Sequence, residues 1–234
     1  MADRLIPTDR TRLKRLPQRG SYDLDVIHAI LDEAFVCHVA FTVDEQPYAM
    51  PMAYGRVGSQ FYLHAASVGR LVRTSAAGLS LCATVTLIDG LVLARSAFHH
   101  SVNYRSVVVL GRARLVDESA EKESALRAIV NHVVPDRWDD VRTPSAQELK
   151  ATGVLALALN EASAKVRTGG PIDDEEDYGR PVWAGVVPLR TMFGVPEADP
   201  RVLADVAPFD LARLRSRTID DRGTEHAEHG DLRG

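Results

Sequence analysis

The stretch from Gly78 to Val116 constrains the fold most, because it contains three apolar, β-branched segments separated by turn residues. Leu79–Leu87 predicts a strand, and Asp89-Gly90 is typical of a tight two-residue hairpin. Leu91–Phe98 then predicts the returning strand, and Tyr104–Val116 a third, longer one. Strands this apolar belong to a sheet that is covered on both faces or closed into a barrel.

Polar side chains cluster at one end of this predicted sheet. Hydrogen-bonding groups that gather where an apolar sheet ends are typical of a ligand site. Gly111, inside the third strand, predicts a bulge or a close approach of another segment. The clustered residues are Arg95, Ser96, His99, His100, Ser101, Asn103, Tyr104, Arg105 and Ser106.

The rest of the chain predicts further β structure with flanking helices. Asp23 is a good N-cap for a helix over Asp25–Ala34. The other predicted elements are strands at Phe35–Val43, Pro47–Tyr54, Gln60–Ala65, Val154–Leu159, Ala164–Thr168 and Val182–Leu189, and helices at Glu118–His132 and near Ser145–Lys150. The basic arm Thr8–Asp23 and the acidic loop Gly169–Arg180 are expected to be solvated, and roughly the last 25 residues to be poorly ordered.

Composition excludes few function classes. A net charge of −4 gives no argument for binding to nucleic acid or to a membrane. We find no signal peptide and no apolar run of the roughly 20 residues that a membrane helix needs, so a cytoplasmic location is expected. Cys37 and Cys82 lie in apolar segments and are predicted to be buried, reduced thiols without metal-site spacing.

A corner after the third strand is a possible phosphate site. His64 ends the strand, and small residues lead into a short helix that carries Gly69, Arg70 and Arg73. A helix N-terminus with free N–H groups, a hydroxyl and an arginine is suited to a phosphate. The alternative is a capped connecting helix with solvated arginines.

These segments resemble a known family. The strings YLHAASVGR and LIDGLVLARSAFHHSVNYRSVVVLGRA resemble flavin-nucleotide-binding split-barrel proteins of the pyridoxamine 5′-phosphate oxidase-like superfamily, on the branch of the nitroimidazole-resistance proteins. The strings RTRLKRLPQRGSYD, SAKVRTGGP and VWAGVVPL fit the same branch, so the resemblance covers Thr8–Leu189. It implies a six-stranded antiparallel Greek-key split β-barrel, with an arm over residues 1–22, a flavin-binding domain over 23–189 and an extension over 190–234. It also implies a homodimer with FMN at the interface.

The resemblance further implies which residues surround the FMN. They are Met50, Pro51 and Met52 facing the isoalloxazine through backbone groups; His64, Ala65, Ala66 and Ser67 beside it; Gly69 and Arg70 at the phosphate; Thr84 and Thr86 along the ribityl chain; and Ser101, Tyr104, Arg105 and Ser106 from the opposing edge. His64 is the predicted catalytic residue, because a histidine at this position is linked to substrate chemistry in the nitroimidazole-resistance relatives. Some members of the superfamily bind haem or a deazaflavin instead of FMN.

Three functions follow as hypotheses. The first is an FMN-dependent oxidoreductase that passes electrons to a small acceptor, such as a nitro compound. The second is a non-catalytic flavin or haem carrier or sensor, and the third a cofactor-free dimeric module that binds another anion. The C-terminal region lacks the basic and aromatic residues with which the pyridoxamine-phosphate oxidases proper bind their substrate, so that reaction is not implied.

Two features of the polar cluster leave alternatives open. Adjacent strand residues point to opposite faces, so His99 and His100 are not expected to chelate one metal ion together, although one of them could be an axial haem ligand. Arg105 lies within a strand and needs an anionic partner. That partner is either a phosphate or a carboxylate across a dimer.

Overall fold

The computed structural model describes residues 3–74 and 78–215. Contacts divide the chain into a unit over Met1–Met192 and a second unit over Phe193–Gly234. The strands of the first unit are β1 (Gly20–Ser21), β2 (Val36–Val43), β3 (Gln46–Val57), β4 (Gln60–Ala66), β5 (Leu79–Leu93), β6 (Ser101–Leu115), β7 (Thr152–Ala158), β8 (Ala162–Arg167) and β9 (Gly185–Pro188). Its helices are α1 (Leu24–Glu33), α2 (Arg70–Thr74), α3 (Ser119–Val133) and α4 (Ala146–Ala151), with 3-10 turns at Pro17–Arg19, Arg137–Asp140 and Glu175–Asp177.

Six antiparallel strands pair in a closed ring. β6 pairs with β7, and the pairing continues through β4, β3, β2 and β5 back to β6. Outside the ring, β8 and β1 extend the sheet from β6, and β9 extends it from β5. The predicted fold class, mainly antiparallel β with flanking helices in a split barrel, is therefore confirmed.

The core fills the inside of the ring. Alternate residues of each strand point inward, so Val39, Val85 and Val107 are buried while their chain neighbours are not. Ile27 and Leu31 of α1 belong to the same core cluster. Helix α3 packs on the outside of the ring at Gly55, where a Cβ atom would lie 2.6 Å from the helix backbone. Only glycine permits this approach.

The hairpin predicted at Asp89-Gly90 is wrong. Strand β5 continues through both residues, and its register against β6 shifts there, which marks a β-bulge. Residues 94–100 connect the two strands instead. Gly90 lies against β9, because a Cβ atom there would be 3.0 Å from Val186 Cγ1. The close approach predicted at Gly111 is confirmed, since a Cβ atom would lie 2.7 Å from Leu157 Cδ1.

The basic arm is packed, which contradicts the expectation of a solvated extension. Strand β1 covers the edge of β8 that would otherwise be unpaired. Tyr22 is buried, and its hydroxyl donates to the Thr11 carbonyl at 3.1 Å. Thr8 and Arg10 both donate to the Glu161 carboxylate. Residues that look like a charged tail in sequence therefore complete the sheet.

The acidic loop Gly169–Arg180 is also held by side-chain contacts to Arg95, and it is not solvated along its whole length. Asp173 is buried, and its carboxylate accepts hydrogen bonds from the Arg95 backbone at 2.9 Å and the Arg95 guanidinium at 3.0 Å. The Arg95 guanidinium also lies 4.8 Å from the centre of the Tyr178 ring. Strand β9 is shorter than the predicted strand and leaves Trp183 outside it, 62% exposed.

The two cysteines differ in burial. Burial raises the pKa of the Cys37 thiol to about 12, and Cys82 is half-buried rather than buried as expected.

Within the described residues, no group of three or more His, Cys, Asp or Glu residues could hold a metal ion. No helix in those parts of the chain is both long and apolar enough to cross a membrane. The second unit contains α5 (Ala212–Arg215), and residues 216–234, where we predicted poor order, lie outside the described residues.

Candidate functional site

Five neighbouring strands share one outward-pointing surface, which we name the outer face. Strand order and register place β3, β2, β5, β6 and β8 side by side. One row of cross-strand neighbours on this face consists of Pro51, His38, Thr84, Val108 and Ser163. The next row on one side includes Val36, which is 45% exposed although it is apolar. The outer face is therefore a wide surface of apolar, small and hydroxyl-bearing side chains.

Besides Pro51, four of the predicted cofactor residues lie together on the β5 and β6 part of the outer face. Thr84 and Thr86 on β5 point outward, and Thr86 is paired with Ser106 of β6. Tyr104 lies two residues from Ser106 and points to the same side. Ser101 and Arg105 have the opposite alternation along β6, so the structure does not bring them to this face.

Two carboxylates of the same chain hold the Arg105 side chain. Its Nε and Nη2 atoms donate to Asp89 at 3.0 and 2.8 Å, and Nη2 also donates to Glu33 at 2.8 Å. The Nη1 atom donates to the other Glu33 oxygen. The hydrogen bonds to Glu33, followed by those to Asp89, raise the pKa of Arg105. Of the partners considered from sequence, the structure supports a carboxylate, within one chain rather than across a dimer.

Strand β3 leaves an open edge in the ring along its first part, residues 46–53. Residues 46–53 pair with β2, whereas residues 54–57 pair with β4. The other edge of β3 around Pro51 therefore has no strand partner among the described pairings. The side chains of Met50 and Met52 pack against the core, so these residues can offer only backbone groups at that edge. The resemblance implied backbone contacts to the isoalloxazine for these residues.

The corner between β4 and α2 faces this open edge. The Arg70 guanidinium lies 4.4 Å from the centre of the Tyr48 ring on β3, a cation–π contact. Arg70 is exposed, and none of the ion pairs among the described residues includes it. His64 and Ala66 are also exposed, whereas the side chain of Ala65 packs against the core.

The backbone of this corner is less available to a phosphate than predicted. The Ser67 N–H donates to the Ala151 carbonyl and the Gly69 N–H to the Ala66 carbonyl, each at 2.8 Å. Helix α2 has only five residues and begins at Arg70. The Ser67 and Gly69 amides are therefore already engaged, and the charge of Arg70 is the main attraction of the corner for an anion.

The two adjacent histidines have different surroundings. The His99 Nε2 atom lies 3.2 Å from the Asp174 carboxylate. The His100 Nδ1 atom lies 2.9 Å from the Ser96 carbonyl oxygen, which can only accept, so Nδ1 carries the proton. The Nε2 atom of His100 then has a free lone pair, which is the usual arrangement of a metal-ligating histidine.

Sequence reasoning missed three residues of this region. Tyr48 supports Arg70, and Lys165 and Arg167 on β8 share register rows with Ser106 and Tyr104. The string Ala164-Lys165-Val166-Arg167 alternates apolar and basic residues, and this pattern indicates two cations on one strand face.

Comparison with known proteins completes these findings. The family model described as pyridoxamine 5′-phosphate oxidase matches residues 23–166. The structure is similar to the flavocytochrome Anf3 from Azotobacter vinelandii, with a TM-score of 0.83 and 43% sequence identity over 90% of this chain and 98% of that one. It is also similar to the FAD and heme binding protein from Mycobacterium smegmatis, with a TM-score of 0.78 and 34% identity over 86% and 97% of the two chains.

A third structure shares the fold at lower identity. It is a putative 5-nitroimidazole antibiotic resistance protein from Bacteroides thetaiotaomicron, with a TM-score of 0.53 and 24% identity over 63% of this chain and 86% of that one. No curated protein matches the sequence.

Proposed function

The chain belongs to the pyridoxamine 5′-phosphate oxidase family, and from this premise we propose that it binds a flavin nucleotide at the open edge of β3 and transfers electrons to a small acceptor. The observation that carries the proposal is the position of Arg70, which lies across the Tyr48 ring at that edge. Two relatives that are at least 34% identical are a flavocytochrome and an FAD and heme binding protein, which supports a flavin as the ligand.

The residues around the open edge fit a flavin nucleotide. Arg70 would hold a phosphate through charge-assisted hydrogen bonds. The backbone at Met50–Met52 would face the ring system, because the core holds the side chains of both methionines. We leave Arg105 out of this site, since four of its five N–H groups already donate to Glu33 and Asp89.

His64 is the proposed catalytic residue. A bound flavin supplies reversible electron transfer, and the protein supplies orientation and protons. The imidazole of His64 is exposed at the end of β4, on the same segment as the Arg70 corner. It could donate a proton to an acceptor that is being reduced, because histidine is the side chain that most often serves as a general acid.

We propose that a second copy of the chain packs on the outer face and forms a homodimer. Val36 and Thr86 are exposed there, and Thr84, Val108 and Leu110 are only half-buried. Apolar side chains left exposed on a sheet face are typical of a surface that a partner covers. In a homodimer, the hydroxyls of Thr84, Thr86, Tyr104 and Ser106 would face the partner and its cofactor. We also propose a cytoplasmic location, which suits the two free cysteines.

The test of the phosphate position is flavin titration, with binding followed by quenching of flavin fluorescence. We expect Arg70→Ala to weaken FMN binding by about 10-fold or more, the range for one charge-assisted contact. Riboflavin lacks the phosphate, so its affinity should not change. Arg73→Ala removes a charge from the same helix and is the matched control. Equal FMN affinity in the parent and in folded Arg70→Ala would exclude this position for the phosphate.

Haem is a second candidate cofactor, bound in addition to the flavin. The name of the Mycobacterium smegmatis relative includes heme, the Azotobacter vinelandii relative is a flavocytochrome, and His100 offers an Nε2 atom oriented by the Ser96 carbonyl. The absorption spectrum of the purified protein distinguishes the possibilities, because FMN or FAD, a deazaflavin and haem absorb at different wavelengths. If haem is present, His100→Ala should alter the Soret band, whereas His99→Ala should leave it unchanged. A protein with a flavin but no Soret band after addition of haem would exclude the second candidate.

A further inference from the structure

Arg167 at the end of β8 is a buried cation with only neutral partners. The residue is 6% exposed. Its Nη1 atom donates to the side-chain oxygen of Asn103 and, at 3.5 Å, to the Gly169 carbonyl, while Nη2 reaches the Gly170 carbonyl at 3.5 Å. The two 3.5 Å contacts are at the limit of a hydrogen bond. Within the described parts of the chain, no carboxylate pairs with this guanidinium.

Three other partly buried arginines are neutralised by carboxylates. Arg56 pairs with Asp32, Arg95 with Asp173, and Arg105 with Glu33 and Asp89. Each of these side chains is less buried than Arg167. Since burial of a charge without a counter-charge is costly, a missing anion is the expected reason for the exception.

The surroundings of Arg167 add positive charge instead of removing it. Burial, and then the charge of Arg19, lowers the pKa of Arg167. Lys165 lies two residues earlier on β8, on the same strand face, and pairs with Gly20 next to Arg19. Tyr104 pairs with Arg167 across β6 and β8 and has a hydroxyl group that can donate to an anion.

Two glycines leave space beside this cluster. A Cβ atom added at Gly169 or Gly170 would meet no atom within 4 Å. Gly169 also has a φ of +91°, which a larger residue adopts only with strain. The segment that crosses the end of β8 therefore bears no side chains that would block an approaching group.

We propose that Arg167, together with Arg19 and Lys165, binds a phosphate group at a position separate from Arg70. Three strands lie between β3 and β8 in the sheet of one chain, so the single phosphate of one FMN cannot contact Arg70 and Arg167 of the same chain together. The source is either the adenylate half of FAD or a separate phosphate-bearing anion. The first source rests on the proposed flavin function, and the second does not.

The experiment compares four ligands across matched variants. FAD, FMN, ADP and pyrophosphate are titrated calorimetrically into the parent, Arg167→Gln and Arg19→Gln, with Arg114→Gln as the control. Arg114 lies on β6 but pairs with Glu121, away from this cluster. We expect both test variants to lose about 10- to 100-fold in affinity for FAD or for pyrophosphate, the range for loss of one charge-assisted contact, and to keep the parent affinity for FMN.

Each outcome decides the proposal. Weaker FAD binding at constant FMN affinity assigns the site to the adenylate phosphates, and weaker ADP or pyrophosphate binding alone assigns it to a separate anion. Parent affinities in both variants would overturn it, as would loss of the dimer in light scattering without any change in anion binding. If Arg167→Gln does not fold, Arg19→Gln decides in the same way. A parent protein that binds no flavin would refute the proposed function, while the pyrophosphate titration would still test this site.

Discussion

Replacement of Arg105 by methionine should destabilise the protein without altering flavin affinity. The guanidinium joins Glu33 at the end of α1 to Asp89 in the β5 bulge, and its side chain is 30% exposed. Methionine preserves much of the apolar stem but leaves the two carboxylates without their shared cation. Loss of one partner costs about 3–5 kcal/mol for a buried ion pair and about 0–1 kcal/mol for an exposed one.

The exposure of this cluster lies between those two cases. Glu33 and Asp89 retain 23% and 31% side-chain exposure, so solvent screens part of the interaction. We therefore expect a loss of about 2–3 kcal/mol in the free energy of unfolding. For a chain of this length, such a loss lowers the melting temperature by about 4–12 °C.

Urea and thermal unfolding, followed by circular dichroism, measure this loss. Arg105→Lys is the matched control, because it keeps the charge but not the forked hydrogen bonds, and it should lose less stability than the methionine variant. Adding Glu33→Gln to Arg105→Met should cost less than the sum of the two single changes, since the residues are in direct contact. A methionine variant that melts with the parent but binds FMN more weakly would refute the structural role and restore Arg105 to the phosphate site.

Three further predictions test other parts of the molecule. His64→Ala should leave FMN affinity nearly unchanged and slow the anaerobic reoxidation of reduced flavin by nitroaromatics or quinones by about 100-fold or more. Equal rates in the parent and the variant would remove His64 from the mechanism. If no acceptor reoxidises the flavin, the carrier function is favoured. Gly55→Ala should cost about 1–3 kcal/mol in urea unfolding, because its Cβ atom would lie 2.6 Å from the backbone of α3, whereas Gly179→Ala, with open space around it, should cost less. Cys37 should resist iodoacetamide at pH 8 until the protein unfolds, because burial raises its pKa to about 12; rapid labelling of Cys37 in the native protein would contradict that burial.

Local pattern alone was enough to predict much of this fold. The strand predicted at Leu79–Leu87 lies within β5, and the two-residue period of a strand then puts Thr84 and Thr86 on one side and Val85 on the other. Helices α1 and α3 lie within one or two residues of their predicted bounds, because their apolar positions repeat at helical spacing. The strings around His64 and Tyr104 were enough to identify the family.

Tertiary structure decided the features that depend on distant partners. Asp89-Gly90 can form either a turn or a bulge, and in the fold it forms a bulge at which Gly90 pairs with Pro188 of β9. From sequence, Arg105 could bind a phosphate. In the fold, its guanidinium instead donates to the carboxylate of Glu33, which lies 72 residues away in sequence. Arg167 lies in a string that reads as an ordinary strand, and only the fold shows that it is buried beside Asn103, 64 residues earlier, without a carboxylate. A side chain's type follows from the sequence, whereas its counter-charge depends on which segments the folded sheet brings together.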